Sequence, residues 1–132
     1  MDPLKIIYIE DNAANLNLVA RVLEATGQYR VVGALDGQTG LEMIYREKPA
    51  LVLVDLDVPD VNGFEIARRL KASSDPEIAG IPVAAVSANV MKDEEHAALE
   101  AGCCAFIAKP FELREFRREI ARLTGRSPDQ TR

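Results

Sequence analysis

"LVLVDLDVPDVNG", residues 51–63, runs four aliphatic residues straight into three aspartates, Asp55, Asp57 and Asp60. The run from Leu51 to Val54 does not alternate apolar with polar, which marks a strand buried on both faces, as in a parallel sheet. A carboxylate at the end of such a strand is costly to desolvate and needs a compensating environment. The flanking sequence shows where that environment comes from.

Outward from this stretch the chain repeats one rhythm. Residues 5–9 predict a first strand, followed by a helical pattern with Leu16, Val19, Ala20 and Leu23 on one face, ending near Gly27. Residues 30–35 predict a second strand. Asp36 can cap a second helix carrying Leu41, Ile44 and Tyr45, closed by Pro49. After the central strand, Asn62-Gly63 turns the chain into a third helix with Phe64, Ala67 and Leu70.

"SSDPEIAGIP", residues 73–82, reads as a loop, 82–86 as a fourth strand, 91–101 as a fourth helix and 105–108 as a fifth strand. A fifth helix shows Leu113, Phe116, Ile120 and Leu123 on one stripe. "GRSPDQTR", residues 125–132, is a polar tail to a domain spanning 1–124. Five strands alternating with five helices imply a doubly wound α/β domain: parallel strands, right-handed crossovers and helices on both faces.

The totals agree. The 132 residues are 48% apolar and 28% charged, an ordinary globular balance for one domain. A net charge of −5 disfavours general affinity for nucleic acid or anionic membrane. The start "MDPLKIIYIEDN" lacks a signal-peptide pattern, and no apolar run approaches the ~20 residues needed to span a bilayer. The adjacent Cys103 and Cys104 are poorly placed for a useful disulfide and read as reduced, partly buried residues of a cytoplasmic chain.

Polar residues follow the strands: Glu10 and Asp11 the first, Asp55 the third, Ser87 the fourth, Lys109 and Pro110 the fifth. In a parallel sheet these converge on one edge, and a strand order of 2-1-3-4-5 would put the switch point between the first and third strands. Two carboxylates ~4 Å apart repel by about 4 kcal/mol at an effective dielectric of 20. Glu10, Asp11, Asp55 and Lys109 together carry −2, which a divalent cation balances, and all-oxygen ligands suit Mg²⁺ or Mn²⁺. Such a cation commonly bridges carboxylates to phosphate. No Gly-rich phosphate loop follows any strand, so a nucleotide is not indicated.

"YIEDN" (8–12), "VDLDVPDVNG" (54–63), "VSAN" (86–89) and "FIAKPF" (106–111), in this order and spacing, resemble the receiver domain of two-component response regulators. The resemblance covers residues 4–124 and is nearest to regulators without an attached output domain. It implies a flavodoxin-like fold in which Asp55 accepts a phosphoryl group from a histidine kinase or phosphotransfer protein. It further implies that Asp11, Asp55 and the backbone carbonyl of Asp57 ligate Mg²⁺, with Glu10 acting mainly through ordered water. By the same resemblance Lys109 would pair with a phosphoryl oxygen, and Pro110, after a cis peptide, would shape its loop.

The resemblance also implies that Ser87 bonds the phosphoryl group as Phe106 swings inward, and that the face formed by the fourth helix, fifth strand and fifth helix signals to a downstream protein. Several positions depart from the family's commoner choices. Ser87 stands where Thr is frequent, Phe106 lacks a hydroxyl, and Val58 replaces a frequent Met. Asp57 and Asn89 at the rim are expected to tune removal of the phosphoryl group by water.

Two other readings exist. "DLDV" resembles the nucleophile motif of haloacid-dehalogenase-like phosphohydrolases, but there the motif lies near the N-terminus and the other metal acids follow the lysine. A receiver-like interaction module that is never phosphorylated is the second. His96, in "KDEEHAALE", reads as a surface residue. The stripe of Arg114, Arg118 and Arg122 reads as a solvated face interleaved with Glu115 and Glu119, or a contact for an acidic partner.

Overall fold

The computed structural model describes residues 2–89 and 91–126. In chain order it contains β1 (Leu4–Ile9), α1 (Ala13–Glu24), β2 (Tyr29–Ala34), α2 (Gly37–Glu47), β3 (Leu51–Asp55) and α3 (Gly63–Lys71). There follow α4 (Pro76–Ala79), β4 (Val83–Ser87), α5 (Lys92–Ala101), β5 (Ala105–Ala108) and α6 (Leu113–Thr124). All five strands are parallel in the expected order, β2-β1-β3-β4-β5.

Side-chain alternation divides the sheet between two cores. Ile7, Ile9, Val52, Val54, Val83 and Ala85 face α2, α3 and α5, and meet Leu41, Ile44, Ile66, Leu70 and Ala98 there. Ile6, Tyr8, Leu51, Leu53, Ala84 and Val86 face α1 and α6, and meet Val19, Leu23, Phe116 and Ile120. Every residue of β3 is buried, Asp55 included, because both sheet faces are covered. Each fully buried aliphatic side chain contributes about 1.5–3 kcal/mol relative to exposure, enough in sum to hold one unfavourable charge at the strand's end.

Three helices are capped by the side chain that precedes them, Asp36 as expected. Asn12, Asp36 and Asn62 each accept a backbone N–H three residues on, at 3.0, 2.7 and 3.0 Å. Gly37 is needed for a close approach: a Cβ there would lie 1.9 Å from the Val61 carbonyl oxygen.

The structure corrects several expectations. The 73–82 loop contains a short helix, α4, begun by Asp75, whose carboxylate accepts from the Glu77 amide, with Pro76 in its first turn. The expected fourth and fifth helices are therefore α5 and α6. Asp55 and Ser87 end their strands from within rather than following them. Tyr45 and Leu113, placed on inward stripes by spacing, are exposed. Cys103 is buried and Cys104 exposed, and both are free thiols. Within the expected tail, Gly125 closes α6 and the Arg126 amide donates to the Ala121 carbonyl at 2.9 Å. Residues 127–132 lie outside the described residues. Among the described residues, no helix is long and apolar enough to cross a membrane.

Candidate functional site

β1 and β3 are neighbours with Ile9 opposite Val54, so the residues that follow, Glu10 and Asp55, come side by side at the C-terminal edge. Both are buried, Glu10 at 1% exposure and Asp55 at 7%. Two buried carboxylates stay ionised only if charge and hydrogen bonds replace the lost water. Lys109 supplies the charge: its Nζ donates to Glu10 Oε1 at 2.7 Å and to Asp55 Oδ2. The Asp57 amide donates to Asp55 Oδ1 at 2.9 Å. Glu10 Oε1 also accepts from the Tyr8 hydroxyl at 3.0 Å, and Oε2 from the Asn12 amide at 3.3 Å.

Burial pulls the Lys109 ammonium toward deprotonation, but hydrogen bonds and charge from Asp55 and Glu10 outweigh it and hold the pKa above its ordinary value. Burial, reinforced by the Glu10 carboxylate, pushes the Tyr8 phenol far above its usual range, so it remains a hydrogen-bond donor.

The three aspartates of the opening stretch have separate fates. Asp55 is buried at the end of β3, and Asp57 is exposed. Asp60 adopts a left-handed φ of 61° and accepts from the Val61 and Gln38 amides, bracing the turn against α2. Asp11 is exposed at the rim. Among the described residues no three His, Cys, Asp or Glu side chains stand together as a finished metal cage. The donor set nonetheless fits a hard cation. It is oxygen only, and one ammonium against Glu10 and Asp55 leaves a negative charge uncompensated.

The other expected residues lie around this core. Ser87 is buried, and its hydroxyl pairs within its own loop, donating to the Asn89 carbonyl at 3.3 Å and accepting from the Asn89 amide at 3.0 Å. The Lys109 amide donates to the Ser87 carbonyl at 2.9 Å, which ties the β4 and β5 ends together. Phe106 is half-buried against the α2–α3–α5 core, opposite Ala85 in register. The Lys109–Pro110 peptide is cis. Ser87, Phe106 and Pro110 make no hydrogen bond or ion pair to Asp55 here.

Two surface grooves flank the site. One of about 300 Å³ opens beside Lys109 and is mainly apolar, with Leu18, Val19, Phe111 and Leu113 in its wall. The other, of about 360 Å³, runs between β5 and α6, with Phe106 and Phe116 in its floor and Glu112, Glu115 and Glu119 along it. His96 is on the exposed surface of α5 beside Glu100. Arg122 of the α6 stripe pairs with Glu119.

Sequence reasoning missed Tyr8. The available signal was a hydroxyl two positions before an acid on a strand, where alternation puts both side chains on one face.

A family model for the response regulator receiver domain matches residues 6–121. The chain is 34% identical over 123 residues to the polar-differentiation response regulator DivK of Brucella anthropi, covering 93% of this chain and 98% of that protein. Among solved structures, the receiver domain of a Pseudomonas aeruginosa sensor histidine kinase, which holds magnesium in its active-site cleft, superposes with a TM-score of 0.84 at 28% identity. That match covers 93% of this chain and 98% of the other. A putative response regulator from Chloroflexus aurantiacus gives a TM-score of 0.87 at 25% identity, covering 95% of this chain and all of that one.

Proposed function

The chain belongs to the response regulator receiver domain family, and we propose that within it Asp55 is the phosphoacceptor of a single-domain regulator spanning residues 1–124. The observation that carries this reading is the state of Asp55. It ends a wholly buried strand, with one carboxylate oxygen held by the Lys109 ammonium and the other by the Asp57 amide. A side chain so desolvated and oriented is a prepared nucleophile.

The donor is the phosphohistidine of a histidine kinase or phosphotransfer protein. An Asp55 oxygen forms the new O–P bond as the P–N bond to imidazole breaks, giving an acyl phosphate. Asp11, Asp55 and the Asp57 carbonyl would hold Mg²⁺, with Mn²⁺ as substitute and Glu10 acting through water. Bound there, the cation supplies neutralisation of phosphoryl charge.

Lys109 meets the transferred group and keeps the β5 end over the site, in the loop that Pro110 shapes. The phosphoryl group adds roughly −1.5 to −2 of charge. The Ser87 hydroxyl leaves Asn89 to bond it, and Phe106 moves into the space vacated. The face of α5, β5 and α6 changes shape and thereby its affinity for a downstream protein in the cytoplasm. Water then hydrolyses the acyl phosphate slowly, releasing inorganic phosphate, so the protein is a phosphoacceptor that catalyses its own phosphorylation and dephosphorylation rather than an enzyme in the ordinary sense.

The test is intact mass after incubation with Mg²⁺ and a small acyl or amido phosphate. A gain of one phosphate in wild type is expected, absent in Asp55→Asn and absent with chelator. Continuous donor hydrolysis at high turnover would favour the phosphohydrolase. A folded protein that binds Mg²⁺ yet gains no mass would point to an interaction module.

A further inference from the structure

β1 buries Ile6, Ile7, Tyr8 and Ile9 completely, and only Tyr8 among them carries a polar side-chain atom. A buried phenol left without a partner is destabilising, so its hydroxyl must be directed at an acceptor. That acceptor is Glu10, which shares a strand face with Tyr8 and takes the hydroxyl on Oε1 at 3.0 Å. The same Oε1 accepts from Lys109, whose Nζ also reaches Asp55. One chain of contacts thus runs from the α1–α6 core through Tyr8, Glu10 and Lys109 to Asp55. Packing alone would be met by phenylalanine or isoleucine.

We propose that Tyr8 is a positioning residue of this site: its hydroxyl fixes the rotation of the Glu10 carboxylate, and so where Lys109 stands between Glu10 and Asp55. The inference rests on the reading of Asp55 and its cation given above. With Oε1 committed to Tyr8 and Lys109, and Oε2 accepting from the Asn12 amide, Glu10 has little freedom to turn. Without the phenol, Glu10 loses one of its three donors and Lys109 its fixed partner.

The experiment uses the full chain as wild type, Tyr8→Phe, Glu10→Ala and the double variant. Binding of Mg²⁺ alone is measured by calorimetry, and mass-gain kinetics with a small phosphate donor by time-resolved intact mass. Tyr8→Phe keeps the ring, and thermal unfolding verifies the fold. The expected result is a roughly three- to tenfold weaker Mg²⁺ affinity and a similar slowing of mass gain in Tyr8→Phe. In the Glu10→Ala background, where the acceptor is gone, the same change should alter neither quantity by more than about twofold.

Unchanged Mg²⁺ affinity and kinetics in Tyr8→Phe, or equal factors in both backgrounds, would reduce Tyr8 to packing and overturn the proposal. Wild type that binds Mg²⁺ and responds to Tyr8→Phe but gains no mass would refute the phosphoacceptor reading and leave Tyr8 as a positioning residue of a metal site. Wild type that binds no Mg²⁺ and gains no mass would overturn both.

Discussion

Helices α3 and α5 pack on the same face of the sheet but are held in opposite ways. α3 begins at Asn62, whose side chain accepts from the Glu65 amide, and buries Gly63, Ile66, Ala67 and Leu70 along its length. α5 begins at Met91, which makes no side-chain cap bond, and buries only Ala98 and Ala101, both near its far end. The start of α5 is favoured by charge, through Asp93, Glu94 and Glu95 in the first turn, and the Asn89 side chain accepts from the Met91 amide at 3.1 Å.

The far end of α5 is fastened. Gly102 has a φ of 115°, and a Cβ there would lie 2.5 Å from Lys71 Cγ. Lys71 in turn donates to the Ala79 and Ile81 carbonyls at 3.1 and 3.0 Å. With 9 residues in α3 and 10 in α5, length does not separate the helices; apolar burial does. Elements with few buried apolar contacts open at low free energy. The weakly held end of α5 is the one that follows Ser87 and Asn89, where the proposed switch begins.

The contrast can be broken most directly by truncation. Leu70→Ala in α3 should cost about 2–5 kcal/mol, whereas Leu99→Ala in α5, where Leu99 is 46% exposed, should stay within about 0.5. Urea unfolding measures both, and equal losses would end the distinction. Gly102→Ala should cost about 1–3 kcal/mol, since it strains a left-handed position and collides with Lys71. A neutral result would mean that α5 is not fastened there.

Removing the α3 cap with Asn62→Ala should cost about 1 kcal/mol. Supplying the missing one with Met91→Ser should gain about 0.5–1 kcal/mol and slow hydrogen exchange in the first turn of α5. Slowing spread evenly along α5 would show that its start is not the loose end.

The smallest effect separates caps by pH. At α2, the backbone hydrogen bond from Thr39, with help from the Thr39 hydroxyl, holds the Asp36 carboxyl below its ordinary 3.8. Its contribution is complete above that value and is lost as pH falls through the depressed folded one. Asp36→Asn keeps an acceptor but cannot titrate, so its acid unfolding should lose slightly less stability over that window than wild type.

These contrasts also separate what was readable in the chain from what was not. Leu51–Val54 announced a doubly covered parallel strand because such strands need no polar side, and Asp36 and Asn62 announced helix starts because their side chains act within one turn. The α4 helix escaped because four residues show no periodicity, and its only signals are Asp75 and Pro76. Leu113 fits the α6 stripe by spacing yet is exposed, since it precedes the part of the helix that meets the sheet through Phe116 and Ile120.

Local chemistry along the chain, by itself, determined the alternation of strands and helices, the edge to which Glu10, Asp55 and Lys109 belong, and the family resemblance that implied the strand order. Tertiary structure alone decided that Lys109 reaches Glu10 and Asp55 from positions 99 and 54 residues away. It also decided that Tyr8 donates into that set and that α5 is held at one end only. Periodicity and turn chemistry act over a few residues and survive in the linear sequence. Which acceptor a buried donor finds depends on packing between distant segments, which exists only once the chain is folded.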